Sequence, residues 1–189
     1  MHLPKIVGGA VVDRLLAGRP DERQGLVGQL AYILAVQQVR CAMATIHRLE
    51  KLFRRAGDLD LDKSDLGRLE NFVRRKVEDL VVRGEANAKA NSRDVIQPWD
   101  LPITKGHQET IHRFRLINAE LQLTDYLSGQ IGLPPSDLAI GDETQARFSE
   151  IAGGLCLALA ETFRIVDPNL KNPTTKDWER AYRLFDLLL

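Results

Sequence analysis

Two residues of opposite charge, Arg93 and Asp100, stand seven positions apart in the stretch NSRDVIQPWDLPITKG, residues 91–106. A guanidinium group and a carboxylate can form a charge-assisted hydrogen bond, which is stronger than a bond between neutral groups. Between them lie the β-branched pair 95–96 and Pro98, which favour extended backbone over helix. The arrangement raises the question of which part of the fold needs such a pair beside a short extended segment.

The other residues that could do chemistry lack the spacing that catalysis or metal binding requires. His107 and His112 are five residues apart, which places them about 140° from one another on a helix, too far round to share a metal ion. The acidic stretch DLDLD, residues 58–62, is more typical of a polar loop and helix start than of a calcium site. The sequence lacks the motifs of phosphate-binding loops, dinucleotide-binding folds, zinc proteases and serine hydrolases. We therefore expect no catalytic residue, no metal and no cofactor.

The composition is that of a globular chain with no excess of either charge. The 189 residues are 44% hydrophobic, and 26 Lys and Arg balance 26 Asp and Glu. Such a chain lacks the overall positive field that draws small proteins to nucleic acid, so any DNA contact would depend on a local patch. Two cysteines outside any CxxC pair favour a reducing cytoplasm over a disulfide framework. No apolar stretch reaches the length of a membrane span, so we expect no membrane partner.

Apolar periodicity predicts a short helix that ends near Gly57 and a long helix from Asp62 to about Asn91. A few extended residues follow. A helix then restarts with Asp100 as its expected N-cap and with Pro102 in its first turn, where proline is tolerated.

The same order of elements recurs in the second part of the chain. A short helix is followed by a long one from about Ala146 to Val166 and by a final helix that begins near Thr174. Lys171 stands near Asp177, but not at the position relative to Asp177 that Arg93 has relative to Asp100. We therefore expect the second pair of opposite charges to be degraded or lost.

The order of short helix, loop, long helix, short strand and helix resembles the histone fold. Arg93 and Asp100 match the arginine-to-aspartate clamp that, in the histone family, ties the second loop to the start of the third helix. On this interpretation Asp100→Ala should cost at least as much stability as Arg93→Ala, because Asp100 would also cap a helix.

Taken whole, residues 44–189 resemble an uncharacterised bacterial family of histone-fold doublets. The stretches that carry the resemblance are FRRAGDLDLDKSDLGRLENFV, ANAKANSRDVIQPWDLPITKGHQETIHRFR and DPNLKNPTTKDWERAYRLFDLLL. The resemblance implies an all-α fold with short extended loop segments, in which tandem histone folds form an intramolecular handshake. One chain would then be a monomeric pseudodimer.

The implied domains are an N-terminal extension, residues 1–42, a first half, residues 43–118, and a degenerate second half, residues 119–189. The extension lies outside the resemblance. Two interpretations of it stay open, an additional helix packed on the domain or a leader ahead of a start at Met43.

Histone folds contact the phosphates and the minor groove of DNA at loops and helix ends, without reading bases. By this analogy the candidates for DNA contact are Arg54 and Arg55 at the end of the first helix, Lys63 after the first loop and Lys105 after the clamp. The first half carries fifteen Lys and Arg against twelve Asp and Glu, and the second half six against eleven. Because only the first half has an excess of positive charge, the basic surface that would hold DNA is incomplete. We therefore expect weak, non-specific and salt-dependent binding of double-stranded DNA, in the nucleoid.

The alternative is a protein-protein interaction or scaffold module without DNA binding, with Trp178 or Tyr182 exposed to a partner. If the basic residues of both halves lay on one convex edge of the surface, DNA binding would be favoured. If they were dispersed beside an exposed apolar patch, a protein partner would be favoured. The sequence leaves both open, and it leaves open what Gly153 and Gly154 accommodate inside the second long helix.

Overall fold

The computed structural model describes Tyr32 and residues 43–188. The chain divides into two units, Met1–Ala44 and Thr45–Leu189. Of the first unit the structure describes Tyr32, Met43 and Ala44, which are helical and exposed. The predictions for residues 1–42 therefore lie almost wholly outside the described residues.

The second unit is mostly helical, as predicted. Its helices are α1 (residues 45–57), α2 (Lys63–Ala90), α3 (Lys105–Leu121), α4 (Thr124–Gln130), α5 (Asp142–Val166) and α6 (Thr175–Leu188). Two short strands, β1 (Val95–Ile96) and β2 (Ala139–Ile140), pair in parallel, with Val95 opposite Ala139 and Ile96 opposite Ile140. Among the described residues, no helix combines the length and the apolar character that crossing a membrane would require.

The long helix α2 begins where the capping pattern predicts. Asp62 Oδ1 accepts hydrogen bonds from the backbone N–H groups of Ser64 and Asp65, at 2.6 and 3.1 Å. Asp65 Oδ2 accepts one in return from the N–H of Asp62 at 3.1 Å, which completes a capping box. At the other end Asn91 is the C-cap, so the helix has the predicted extent.

The helix after β1 starts later than predicted, and Asp100 does not cap it. Residues Pro98–Asp100 form a 3-10 turn, and α3 begins only after Thr104, its N-cap. Leu101, which precedes Pro102, is extended, with φ −69° and ψ 128°. The ring of a proline disfavours helical backbone in the residue before it, so a helix cannot run from Asp100 through Pro102.

The division between the halves predicted after Asn118 lies inside α3, which runs to Leu121. Gln122 ends the helix in the left-handed conformation, with φ 51° and ψ 51°. The side chain of Asn118 accepts a hydrogen bond from the N–H of Leu123 at 2.6 Å and donates one to Thr124 Oγ1 at 2.5 Å. Asn118 therefore fastens the turn between α3 and α4. We use "first half" for α1 to α3 and "second half" for α4 to α6.

The last helix of the first half packs against the long helix of the second half. Gly153 and Gly154 on α5 allow α3 to approach closely, which answers what these two glycines accommodate. A methyl group added at Gly154 would lie 2.6 Å from Ile111 Cγ1 and 3.0 Å from the Ile111 nitrogen. One added at Gly153 would overlap the ring of Phe114, which is fully buried.

The last helix of the second half packs in turn against the long helix of the first half. Aromatic side chains fill the space between them. The ring centroid of Phe72 lies 4.8 Å from that of Phe185 and 5.7 Å from that of Tyr182. The Trp178 indole donates to Asp65 Oδ1 at 2.8 Å. The expectation of an exposed Trp178 is therefore wrong, because it is 1% exposed. Tyr182 is half-buried.

Candidate functional site

Arg93 and Asp100 lie in contact and anchor the 3-10 turn. The Arg93 guanidinium donates to Asp100 Oδ1, and the N–H of Gln97 donates to Asp100 Oδ2 at 2.8 Å. The side-chain amide of Asn87 on α2 donates to the carbonyl oxygen of Asp100 at 2.7 Å. The Asp100 side chain is 2% exposed and that of Arg93 29%. The clamp thus holds the turn against the end of α2, although it does not cap α3.

Trp99 is the exposed residue of this anchored turn. Its side chain is 69% exposed, whereas its neighbours Pro98 and Asp100 are buried. The indole stands at the edge of a cavity of about 610 Å³ between the turn, α3 and α5. The apolar residues that line the cavity beside it are Pro98, Leu101, Ile103, Ile111 and Ile151.

The charged residues at this cavity form two ion pairs. Arg115 on α3 and Arg147 and Glu150 on α5 line it. Arg115 donates to Glu150 Oε2 at 2.5 Å, a hydrogen bond that raises the pKa of Arg115. Arg147 pairs at 2.8 Å with Glu143, which does not line the cavity. The site therefore combines an exposed indole and mostly buried apolar residues with two half-exposed guanidinium groups, each paired with a carboxylate.

Three of the four candidate DNA contacts pair with carboxylates. The pairs are Arg54 with Asp60 at 2.8 Å, Arg55 with Glu120 at 2.6 Å and Lys105 with Glu109 at 3.6 Å. Lys63 is exposed and, within the part of the chain that the structure describes, has no ion-pair partner. Arg54 and Arg55 lie on α1, Lys63 on α2 and Lys105 on α3.

Lysines in and beside the loops are also engaged by carboxylates. Lys171 pairs with Asp58, and Lys89 pairs with Glu85 at 2.5 Å and Asp137 at 2.9 Å. The hydrogen bond from Lys171 lowers the pKa of Asp58, and that from Lys89 lowers the pKa of Asp137. The bonds to Glu85 and then Asp137 raise the pKa of Lys89. Lys171 does not pair with Asp177, whose carboxylate accepts from Thr174 at the start of α6.

The two histidines have separate environments. His112 is exposed, whereas His107 is buried, with its Nε2 3.2 Å from the carbonyl oxygen of Ile151 on α5. We assign the proton to Nε2, which donates to that carbonyl, and this leaves His107 Nδ1 buried without a hydrogen-bond partner. Burial lowers the pKa of His107 below its usual 6.5. Within the described residues, no group of three or more His, Cys, Asp or Glu has the arrangement of a metal site.

His107 should make stability depend on pH at the acidic side of neutrality. The unfolded chain binds the proton more readily than the folded one, because the pKa is lowered only on folding. The contribution is complete above about pH 6.5 and is lost as the pH falls, with a slope of at most about 1.4 kcal/mol per pH unit. Urea unfolding of the wild type and of His107→Gln from pH 8 to pH 5 measures it, with His112→Gln as the matched control. Equal slopes in all three proteins would contradict the assignment.

A family model described as a domain of unknown function (DUF1931) matches residues 49–186. The chain belongs to the DUF1931 family. Two uncharacterised proteins of Aquifex aeolicus (strain VF5) are similar to it. One is 30% identical over 117 residues, 62% of this chain and 68% of the relative. The other is 29% identical over 136 residues, 65% of this chain and 79% of the relative.

Two crystal structures are similar in fold to this DUF1931 domain. A protein of Thermus thermophilus is 45% identical, with a TM-score of 0.69, and the match covers 76% of this chain and 97% of that one. A protein of Aquifex aeolicus is 26% identical, with a TM-score of 0.68 over 77% of this chain and 95% of that one.

Sequence reasoning missed the most exposed aromatic group of the DUF1931 domain. The expected exposed aromatic residues were Trp178 and Tyr182, but Trp178 lies in the core. Trp99 lies in a turn, where helical periodicity carries no information. The available signal was its position between Pro98 and Asp100, two residues that typically stiffen or fasten a turn.

Proposed function

We propose that residues 43–189 form two tandem histone folds in an intramolecular handshake, and that the chain acts as a non-enzymatic protein-interaction module rather than a DNA-packaging protein. The handshake is supported at both ends by pairing between loops of different halves. At one end β1 pairs in parallel with β2. At the other, the N–H of Asp60 donates to the carbonyl oxygen of Lys171 at 2.8 Å. Each pairing joins the loop before a long helix to the loop after the other long helix.

The exchange of helices gives the handshake further support. In each half the last helix packs on the long helix of the other half, α3 on α5 and α6 on α2. The helix α6 also contacts the long helix of its own half, through Trp178 and Phe163. One apolar core contains Phe53 and Leu80 of the first half together with Leu155 and Phe163 of the second. A single chain therefore supplies both copies that a handshake requires.

The observation that carries the choice of an interaction module is the pairing of the candidate DNA contacts with carboxylates. A residue that neutralises a phosphate must first leave its acidic partner, so its net gain on DNA is small. Lys171 and Lys89, in and beside the loops, are likewise paired, with Asp58 and Asp137, so they add little net attraction for a phosphate backbone. The exposed Trp99 instead has the character of residues that anchor protein interfaces.

The state of Cys156 argues against thiol catalysis at this residue. Its thiol is buried inside α5, and burial raises its pKa to about 12. Because the thiolate is the nucleophilic form, this side chain is suited to packing rather than to covalent catalysis.

DNA binding supplies the decisive measurement for this proposal. At about 0.15 M salt we expect no binding of random duplex DNA tighter than about 10⁻⁴ M, the weak end of non-specific affinities. Arg54→Ala/Arg55→Ala should behave as the wild type in a fluorescence-anisotropy titration, and Arg74→Ala/Arg75→Ala is the matched control pair. Micromolar binding whose salt slope falls by about two in the Arg54→Ala/Arg55→Ala protein alone would favour a DNA-binding function.

The handshake itself predicts that a fragment of residues 43–189 folds as a monomer. Both copies of the fold are present in that fragment, so no second chain is needed to cover an apolar face. Light scattering and circular dichroism of the fragment beside the full chain measure its mass and helicity. An unfolded fragment, or one that is folded only as a dimer, would contradict the single-chain handshake.

A further inference from the structure

Another cavity, of about 260 Å³, lies between α4, the loop that follows it and the first turns of α5. The residues that line it are Ser128 on α4, Ile131 and Leu133 in the loop, and Gln145, Phe148 and Ser149 on α5. None of these six side chains is ionisable. The cavity therefore offers apolar side chains together with neutral hydroxyl and amide groups, unlike the charged cavity beside Trp99.

Ser149 brings an unused hydroxyl group to this cavity. The residue is 5% exposed, and in the part of the chain that the structure describes its side chain has no hydrogen-bond partner. Folded proteins rarely leave a buried polar group unbonded, because the group has given up its hydrogen bonds to water. Ser128, the other serine of the lining, differs, since its Oγ donates to the carbonyl oxygen of Thr124 at 2.9 Å. The Ser149 hydroxyl is therefore available to a molecule in the cavity.

Gln145 adds a second hydrogen-bonding group to the same side of the cavity. It stands four residues before Ser149 on α5, so the two residues share one face of the helix. Its side chain is exposed and, among the described residues, also has no hydrogen-bond partner. A hydroxyl and a carboxamide each donate and accept hydrogen bonds. Together they match a ligand group that also does both.

The loop that forms one wall of the cavity is held in place by the protein itself. Pro134 and Pro135 restrict the backbone directly after the lining residues of the loop. Beyond them, Ser136 Oγ donates to Glu85 Oε2 on α2 at 2.7 Å and accepts from the N–H of Leu138 at 3.1 Å. A ligand therefore does not have to order this wall when it binds.

We propose that this cavity binds a small uncharged molecule in which an apolar body carries a neutral group that both donates and accepts hydrogen bonds, such as a carboxamide. The neutral group bonds Ser149 and Gln145, and the apolar body packs against Phe148 and Leu133. A carboxylate or an ammonium group would lose its hydration here without gaining an ionic partner from the lining. The volume of about 260 Å³ suits a compound smaller than drug-sized ligands. This site is additional to the interaction function proposed above and does not depend on it.

Four compounds of similar shape test this chemistry on the full chain. Benzamide carries the neutral group, benzoate a negative charge, benzylammonium a positive charge, and toluene has no hydrogen-bonding group. In a two-dimensional amide NMR titration, benzamide should shift the signals of residues 128–133 and 145–149, with a Kd on the order of 1 mM for so small a ligand. Benzoate, benzylammonium and toluene should each bind at least about threefold more weakly.

The two serines of the lining make a matched pair of variants. Ser149→Ala should weaken benzamide about threefold to tenfold, the effect of one neutral hydrogen bond, whereas Ser128→Ala should leave its Kd within about twofold, because that hydroxyl is already bonded within α4. Thermal unfolding of Ser149→Ala should match that of the wild type, since the hydroxyl has no partner to lose. Gln145→Ala, at an exposed position, should also weaken benzamide without disturbing the core.

The proposal fails if benzamide does not bind at about 20 mM, or if it shifts signals away from the cavity. Equal affinities for benzamide, benzoate and benzylammonium would overturn the neutral chemistry of the ligand. A Ser128→Ala effect as large as that of Ser149→Ala would show that the free hydroxyl does not hold the ligand.

Discussion

The Arg93→Ala variant should lose about 2–4 kcal/mol of its free energy of unfolding. This loss should be larger than that of the Asp100→Ala variant. Removing Arg93 leaves the Asp100 carboxylate, 2% exposed, with only the N–H of Gln97 as a hydrogen-bond donor. An uncompensated buried charge is among the costliest defects that a single substitution makes. Removing Asp100 instead leaves the N–H of Gln97 without its acceptor and frees an arginine that can reach water, at about 1–3 kcal/mol. Urea unfolding at pH 7 measures both.

This order is the reverse of the one that the sequence predicts. The sequence-based order gave Asp100 a second role as helix cap, but Thr104 has that role in the structure. Arg113→Ala is the matched control, because its partner Glu161 is 32% exposed and an exposed pair contributes about 1 kcal/mol or less. In the double-mutant cycle, Arg93→Ala/Asp100→Ala should cost clearly less than the sum of the single substitutions. Additive losses, or an Asp100→Ala loss that exceeds that of Arg93→Ala, would show that burial does not govern this pair.

Gly153→Ala should lower the free energy of unfolding by about 1–3 kcal/mol, although alanine is the better helix former. Helix propensity alone would favour the substitution by about 1 kcal/mol. The new methyl group would overlap the buried Phe114 ring, and overpacking of a filled core typically outweighs that gain. Thermal or urea unfolding measures the net effect.

Gly67→Ala on α2 is the matched control for this substitution. A methyl group there has no atom within 4 Å, so the propensity gain of about 0.5–1 kcal/mol should appear unopposed. The two alanine variants should therefore change stability in opposite directions. Phe114→Leu should partly rescue Gly153→Ala, since it removes the ring that the methyl meets. If Gly153→Ala stabilised the protein as Gly67→Ala does, α3 would not approach α5 as closely as the structure has it.

The sequence by itself determined most of the secondary structure, because those signals are local. The extent of α2 follows from the capping box of Asp62 and Asp65 and from an apolar stripe, which are interactions between residues three or four apart. Val95 and Ile96 form the predicted extended segment because β-branched side chains favour it. Pro102 restricts the residue before it, which is a local signal in the sequence against a helix that starts at Asp100.

Tertiary structure alone decided which side chains are exposed and which charges are paired. Trp178 and Trp99 are the same residue type, and only the packing of α6 against α2 shows that Trp178 is buried while Trp99 is exposed. The pairing of Arg55 with Glu120 joins residues sixty-five positions apart, so no local pattern could reveal that this arginine is neutralised. The close approach at Gly153 likewise depends on a helix that lies elsewhere in the sequence. Local preferences act along the chain, but burial and charge pairing depend on which distant segments meet, and that is settled only when the two halves pack together.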